Sequence, residues 1–268
     1  MDFKELFLAN NSHLADKWES YLDVYKRIFA PYQHRKFRIL EIGVMNGGML
    51  DVMASYFDTA TEIVGCDIDP KCGDLVFDDE RIRIVVSDIK QAEIEGGFGI
   101  IIDDGSHICS DVITTFSKYY PLLIPGGIYV IEDLHTSYWK SFGGGLNTPI
   151  SSIAFLKRLV DQVNREHWRL KANHLSPIES IYNVTFTDLS TIAGIEFTNS
   201  MCVIHKELSN TLGKRVVTGV KEEVTSTGIW KAHNSNTSIA NIQADVKDDS
   251  QFDPFNLIKM VRYLKSKT

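Results

Sequence analysis

Two short acidic clusters and one histidine carry the chemistry this sequence could perform. Asp103-Asp104-Gly105-Ser106-His107 follows the apolar run FGIII, and Glu132-Asp133 follows GIYVI. Carboxylates placed side by side repel one another unless protons or a cation neutralise them. If the two runs are neighbouring strands, Asp104, Glu132 and Asp133 converge. An all-oxygen set of that kind selects a hard ion such as Mg²⁺ and leaves positions open for water or substrate. His107, three residues beyond Asp104, is then placed to take a proton from a hydroxyl at the ion. Asp103 is read as supporting the turn or a cofactor, and His135 as a weaker candidate beside the site.

A second constellation lies upstream. Glu41-Ile42-Gly43-Val44-Met45-Asn46-Gly47-Gly48 joins an apolar run to a helical stretch. Gly43 permits a tight turn, and Gly47 and Gly48 are expected to let a ligand approach the backbone. Asp67 ends the next apolar run, where a carboxylate can accept both ribose hydroxyls of a nucleoside. Asp88 ends the one after, close to where an adenine amino group would lie. A dinucleotide enzyme would show Gly-x-Gly-x-x-Gly, with a helix N-terminus facing pyrophosphate. Here the spacing is Gly-x-x-x-Gly-Gly, and the acidic Glu41 suits a cationic ligand. S-adenosylmethionine (SAM), with its sulfonium and amino group, fits better than NAD. The cofactor-binding set is therefore Glu41, Gly43, Gly47, Asp67, Asp88 and Asp103.

The elements that must position these residues alternate. Apolar runs at 37–43, 62–69, 81–88, 98–105 and 127–134 read as strands, and 46–57 and 109–123 as helices between them. Strands that are nearly continuous in apolar residues imply a parallel sheet covered on both faces. Ligands bind such sheets beyond the carboxyl ends of the strands, where these acids fall. Before the first strand, Leu14, Trp18, Tyr21, Leu22, Tyr25 and Ile28 have helical spacing, so 12–29 is expected to be one helix with Ser12 as its N-cap. Beyond the fifth strand, 151–165 reads as a helix and 181–190 and 200–207 as late strands. Residues 208–250 are polar and read as a surface arm, a lid or a partly disordered stretch, and 255–266 as a short amphipathic helix.

The 268 residues, 44% hydrophobic and 24% charged, suit one large α/β domain with extensions. We divide them into an N-terminal helical segment (1–36), the catalytic domain (37–207) and a C-terminal extension (208–268). A net charge of −7 argues against nucleic acid or an anionic membrane as partner. Cys66, Cys72, Cys109 and Cys202 match no zinc or redox spacing and read as buried thiols of a reducing compartment. No stretch reaches transmembrane length and no leader-like apolar core opens the chain, so a cytoplasmic protein is expected. The sequence is compatible with a homo-oligomer without specifying one.

DDGSH, PLLIPGGIYVIEDLHTSYW and EIGVMNGG resemble the metal-dependent O-methyltransferases that tailor macrolide and aminocoumarin sugars, a group similar to proteins labelled cephalosporin hydroxylase. The resemblance runs from about His13 to Lys206. HLADKWESYLDVYKRIFAP resembles that group's Thr-Asp-Lys segment, with Ala15 where threonine is usual. The resemblance implies a Rossmann-like class I SAM methyltransferase: a mostly parallel seven-stranded sheet with helices on both faces. It matches Asp104, Glu132 and Asp133 to Mg²⁺ ligands, His107 to the general base, and Asp67 and Asp88 to SAM-binding acids. It also implies a sugar or glycosylated small molecule as acceptor. The metal site alone equally admits a catechol or another small-molecule hydroxyl. A non-catalytic SAM-binding protein would have little reason to keep a self-repelling cluster. A nicotinamide oxidoreductase lacks its fingerprint here, and a hydroxylase lacks a two-His-one-carboxylate iron site.

Overall fold

The computed structural model describes residues 1–167, 176–187, 189–213 and 216. Five strands, β1 (Arg38–Ile42), β2 (Glu62–Asp67), β3 (Ile82–Val86), β4 (Phe98–Asp103) and β5 (Leu123–Ile131), run parallel. The chain then adds β6 (Ile192–Thr198) and β7 (Met201–Lys206). The seven-stranded sheet has the order β3-β2-β1-β4-β5-β7-β6. Strand β7 is antiparallel to both its neighbours, so the sheet is mixed at that edge. The helices are α1 (Phe3–Ala9), α2 (Glu19–Phe29), α3 (Gly48–Tyr56), α4 (Cys109–Tyr119), α5 (Ser152–Val163) and α6 (Ser176–Tyr182).

Alternation along the strands sends side chains to opposite faces. Leu40, Ile101, Tyr129 and Ile131 join α4 and α5 in one core, around Phe116 and Phe155. Ile39, Ile100, Ile102 and Val130 join α1, α2 and α3 in the other, around Phe3, Phe29 and Met53. Each such buried side chain contributes about 1.5–3 kcal/mol. Among the described residues no helix is long and apolar enough to cross a membrane. All four cysteines are buried and unpaired.

The predicted strands and the helices between them stand where the patterning puts them, with three corrections. First, the helix expected over 12–29 begins only at Glu19. Residues 10–18 form an irregular strap because tertiary hydrogen bonds take their backbone: Gly48 N–H donates to Leu14 O (3.2 Å), and His13 N–H to Asp51 Oδ2 (3.2 Å). Ser12 therefore caps nothing. Second, the described residues of the strand expected over 181–190 are instead the end of α6 and a loop, and the sixth strand starts at Ile192. Third, the unexpected α1 is closed by a capping box, in which Glu5 N–H donates to Asp2 Oδ1 (3.0 Å) and Asp2 N–H to Glu5 Oε2 (2.9 Å). The helix expected over 255–266 and nearly all of the arm over 208–250 lie outside the described residues.

Candidate functional site

Adjacent strand ends are locked in step. Gly43 N–H donates to Cys66 O (2.9 Å), Asp104 N–H to Ile42 O (2.9 Å) and Glu132 N–H to Asp103 O (3.0 Å). This staircase brings the acids of β1, β4 and β5 to one edge, above a cleft of about 800 Å³. Gly43, Glu41, Asp67, Asp88, Asp103, Asp104, His107 and Asp133 line it. Gly43 lies at φ +87°, and a Cβ there would meet Asp104 O at 2.1 Å, so the two turns can touch only through a glycine.

The cofactor-side acids differ in their surroundings. Asp67 accepts from Val44 N–H (2.7 Å), Met45 N–H (3.1 Å) and Asp69 N–H (2.9 Å), and so braces the glycine turn. Burial opposes its charge, but those donors outweigh burial and hold its carboxyl below the usual range. Asp88 accepts from Lys90 N–H at 2.9 Å. Asp103 is buried, which pushes its carboxyl up to about 7. It accepts from Gly105 N–H and from the Tyr129 hydroxyl at 3.3 Å, which makes it a turn brace. Glu41 is 2% exposed, and among the described residues its Oε2 has no hydrogen-bond partner. A buried carboxylate oxygen left open beside a cleft fits a cationic ligand. Gly47 departs from expectation. It is the N-cap of α3, at φ +84°, and is not among the residues lining the cleft; its missing side chain makes room for the Phe77 ring (2.7 Å from a Cβ). Gly48 makes room for the backbone of His13–Ala15, not directly for a ligand.

On the metal side, ligand atoms of Asp104, His107 and Asp133 all lie within 4.8 Å of one another. His107 Nε2 is 3.7 Å from Asp104 Oδ1 and 3.8 Å from Asp133 Oδ2. His107 (φ +56°) and Asp133 (φ +52°) both adopt the left-handed region. Non-glycine residues held there cost energy and concentrate at functional sites. Glu132 lies deeper, at 2% exposure, and burial pushes its carboxyl up to about 7 against the pull of Lys17.

Each of the three carboxylates is held from one stretch of chain, Lys17 to Tyr25. Lys17 Nζ donates to Asp104 and lies 3.0 Å from Glu132 Oε1. Tyr25 donates to Glu132, Tyr21 to Asp133 Oδ1 (2.8 Å), and Trp18 Nε1–H to the same oxygen (3.2 Å). Burial works against the Lys17 ammonium, but Glu132, Asp104 and Glu41 outweigh it and keep Lys17 charged. Sequence reasoning missed this role. Only Tyr21 and Tyr25 left a signal, their spacing of four putting both hydroxyls on one face of α2; Lys17 lies before that helix, where the period says nothing. His135, by contrast, is tied by Nδ1 to Ser200 Oγ (2.6 Å), and its ring meets those of Trp18 and Trp139 edge-on.

The seven-stranded sheet with this strand order has the class I SAM methyltransferase fold. The relatives named below are sugar O-methyltransferases. The chain is 37% identical over 177 residues to the 8-demethyl-8-α-L-rhamnosyl tetracenomycin-C 2'-O-methyltransferase of Streptomyces olivaceus, covering 60% of this chain and 46% of that protein. It is 38% identical over 159 residues to the mycinamicin VI 2''-O-methyltransferase of Micromonospora griseorubida, covering 53% of this chain and 39% of that one. The chain thus spans less than half the length of these curated relatives. Among solved structures, the MycE methyltransferase in complex with Mg, SAH and mycinamycin VI superposes with a TM-score of 0.63 at 29% identity, over 81% of this chain and 57% of that chain. No family model matches.

Proposed function

We propose that this chain transfers the methyl group of SAM to a hydroxyl of a sugar or glycosylated metabolite, with Mg²⁺ as cofactor. The observation that carries the reading is the convergence of Asp104, His107 and Asp133 on the rim of the cleft that Glu41 lines. The paired carboxylates of Asp104 and Asp133 fit a hard divalent ion, the imidazole beside them is placed to take a proton, and the open Glu41 oxygen fits a cationic cofactor. The names of the relatives above support the same activity and point to a glycoside acceptor.

In this reading Asp104, Glu132 and Asp133 are the metal ligands, and Glu41, Gly43, Asp67 and Asp88 form the SAM half of the cleft. When bound, the ion supplies Lewis acidity that lowers the pKa of an acceptor hydroxyl. His107, whose ring lies 3.7 Å from Asp104 and 3.8 Å from Asp133, takes the proton that hydroxyl loses. Asp67 and Asp103 keep the two turns in place, so cofactor and acceptor meet in a set orientation.

The test is methyl transfer from tritiated SAM to a panel of glycosides, 4-nitrophenyl α-L-rhamnoside among them, with and without Mg²⁺. Transfer to a sugar oxygen that depends on the ion is the expected result. Transfer to nitrogen alone, to catechols alone, or unaltered after chelation would overturn it. A vicinal diol should outperform its monodeoxy analogue, because two neighbouring oxygens lose less freedom on binding than two separate ligands.

A further inference from the structure

We propose that Lys17 is an internal counter-cation that competes with the divalent ion for Asp104 and Glu132, so that metal loading requires its ammonium to leave them. The proposal rests on the metal role given to those carboxylates above.

Lysine normally keeps its head in water while its stem lies on the protein. Here the side chain is 5% exposed and its Nζ sits between Asp104 Oδ2 and Glu132 Oε1. A buried ammonium is tolerable only when paired, and a buried carboxylate likewise. Lys17 offsets one of the two negative charges that these carboxylates can carry. A divalent ion drawn to the same two oxygens meets a like charge already seated on them.

The remaining oxygens show where an ion can begin to bind. Asp133 Oδ1 is held by Trp18 and Tyr21, but Asp133 Oδ2 and Asp104 Oδ1 face the His107 ring. Those two oxygens are free of Lys17, whereas Glu132 joins the ligand set only when the ammonium departs. The chain can allow that departure. Lys17 lies on the strap between α1 and α2, outside any helix, so its head can withdraw without unwinding α2. Strap residues Leu14, Ala15 and Asp16 line the same cleft as the cofactor-side acids. Withdrawal of Lys17 therefore acts on the wall of the cofactor cleft as well as on the metal ligands.

A positioning role for Lys17 predicts the opposite sign. If the ammonium merely held the two carboxylates in place for the ion, removing it would weaken metal binding. The experiment titrates the full chain, stripped by chelation, with Mg²⁺ by calorimetry and with Mn²⁺ by loss of the free-ion paramagnetic resonance signal. The parent is compared with Lys17→Met and Lys17→Gln. Removing one positive charge at contact distance from the ligands should tighten binding by about tenfold or more. Unchanged or weaker binding in variants that fold overturns the proposal. If neither variant folds, the parent alone decides it through reductive methylation read by mass spectrometry. Lys17 should be protected in the metal-free protein and become modified when Mg²⁺ is added; protection unaltered by saturating Mg²⁺ overturns the proposal. Neither measurement uses SAM or an acceptor, so a failure to methylate glycosides leaves the proposal standing. Absence of ion binding in parent and variants alike would overturn the metal assignment and the proposal together.

Discussion

Tyr25 donates its phenolic O–H to the carboxylate of Glu132, and both side chains are closed off from solvent. One turn earlier, Tyr21 reaches Asp133, whose side chain keeps 26% of its exposure. The two tyrosines look equivalent in sequence but hold acids in different surroundings. Tyr25→Phe should cost about 1–3 kcal/mol, because a buried charged acceptor loses a donor it cannot replace with water. Tyr21→Phe should cost less, since Asp133 keeps Trp18 and solvent. Urea unfolding of the two variants checks this, and equal costs would contradict it.

Asp67 gives a prediction with a pH sign. Its folded-state carboxyl is held below the usual range by three backbone donors, despite burial. A depressed pKa means that the folded state binds the proton less readily than the unfolded chain. The stabilisation is therefore present above the unfolded-state value of about 4 and is lost as pH falls through the folded value. Asp67→Asn should cost about 1–3 kcal/mol at pH 7, and the gap to the parent should narrow below pH of about 4. Denaturant titrations at neutral and acid pH measure both. A gap independent of pH would mean that the carboxylate's charge is not what braces the turn.

At Gly43 two costs coincide. Alanine would have to hold a left-handed conformation, at about 1–2 kcal/mol, and its Cβ would fall 2.1 Å from Asp104 O. Relieving that overlap adds about 1–3 kcal/mol. At Gly105 a Cβ would meet nothing closer than Ile42 Cγ2 at 3.3 Å. Gly43→Ala should therefore lower the melting temperature far more than Gly105→Ala, and similar shifts would show that the β1 and β4 turns can separate freely.

These features were not equally legible in the sequence. The strand ends were, because strands buried on both faces read as apolar runs and the first polar residue after each run must lie at the sheet edge. That pattern put Glu41, Asp67 and Asp103 at the edge where the cleft lies. The strap was not legible. Leu14 and Trp18 fit a helical period, yet they are 67% and 61% exposed, and tertiary hydrogen bonds to Gly48 and Asp51 override the local pattern. Nor does periodicity say what a tyrosine hydroxyl reaches. Tyr21 and Tyr25 read as core residues, and their rings are, but their oxygens serve the acids. At Gly47 and Gly48 the requirement for glycine was legible and the neighbour was not: each makes room for the protein itself. At 181–190, β-prone residues follow a helix whose packing they complete, with Phe186 buried and stacked on Phe155 at 5.5 Å. Burial there rests on ring packing, with no need for strand pairing.

His107 offers a test that separates two roles. Its ring nitrogen lies near both Asp104 and Asp133, as a base or as a ligand would. As a general base it contributes on the order of 10²–10⁴-fold. His107→Ala should then lose that much turnover while SAM and Mg²⁺ affinities stay close to the parent's. A comparable drop in Mg²⁺ affinity would make the imidazole a ligand instead.

Chelation should abolish methyl transfer and leave the fold standing. A metal site made only of acids would lose its counter-charge with the ion, and the repulsion among them would loosen the sheet edge. Here Lys17 lies against Asp104 and Glu132, Tyr25 on Glu132, and Tyr21 with Trp18 on Asp133. The strand-end staircase is backbone to backbone and involves no ion. What Mg²⁺ adds to stability is then its binding energy alone, about 2.7 kcal/mol at a hundred times its dissociation constant. Circular dichroism before and after chelation should show the same secondary structure, with a melting temperature lowered by only the few degrees that such an energy represents at this chain length. Activity should disappear over the same titration and return with added Mg²⁺. Loss of secondary structure on chelation would mean that Lys17 and the tyrosines do not hold the acids, and that the ion is structural as well as catalytic.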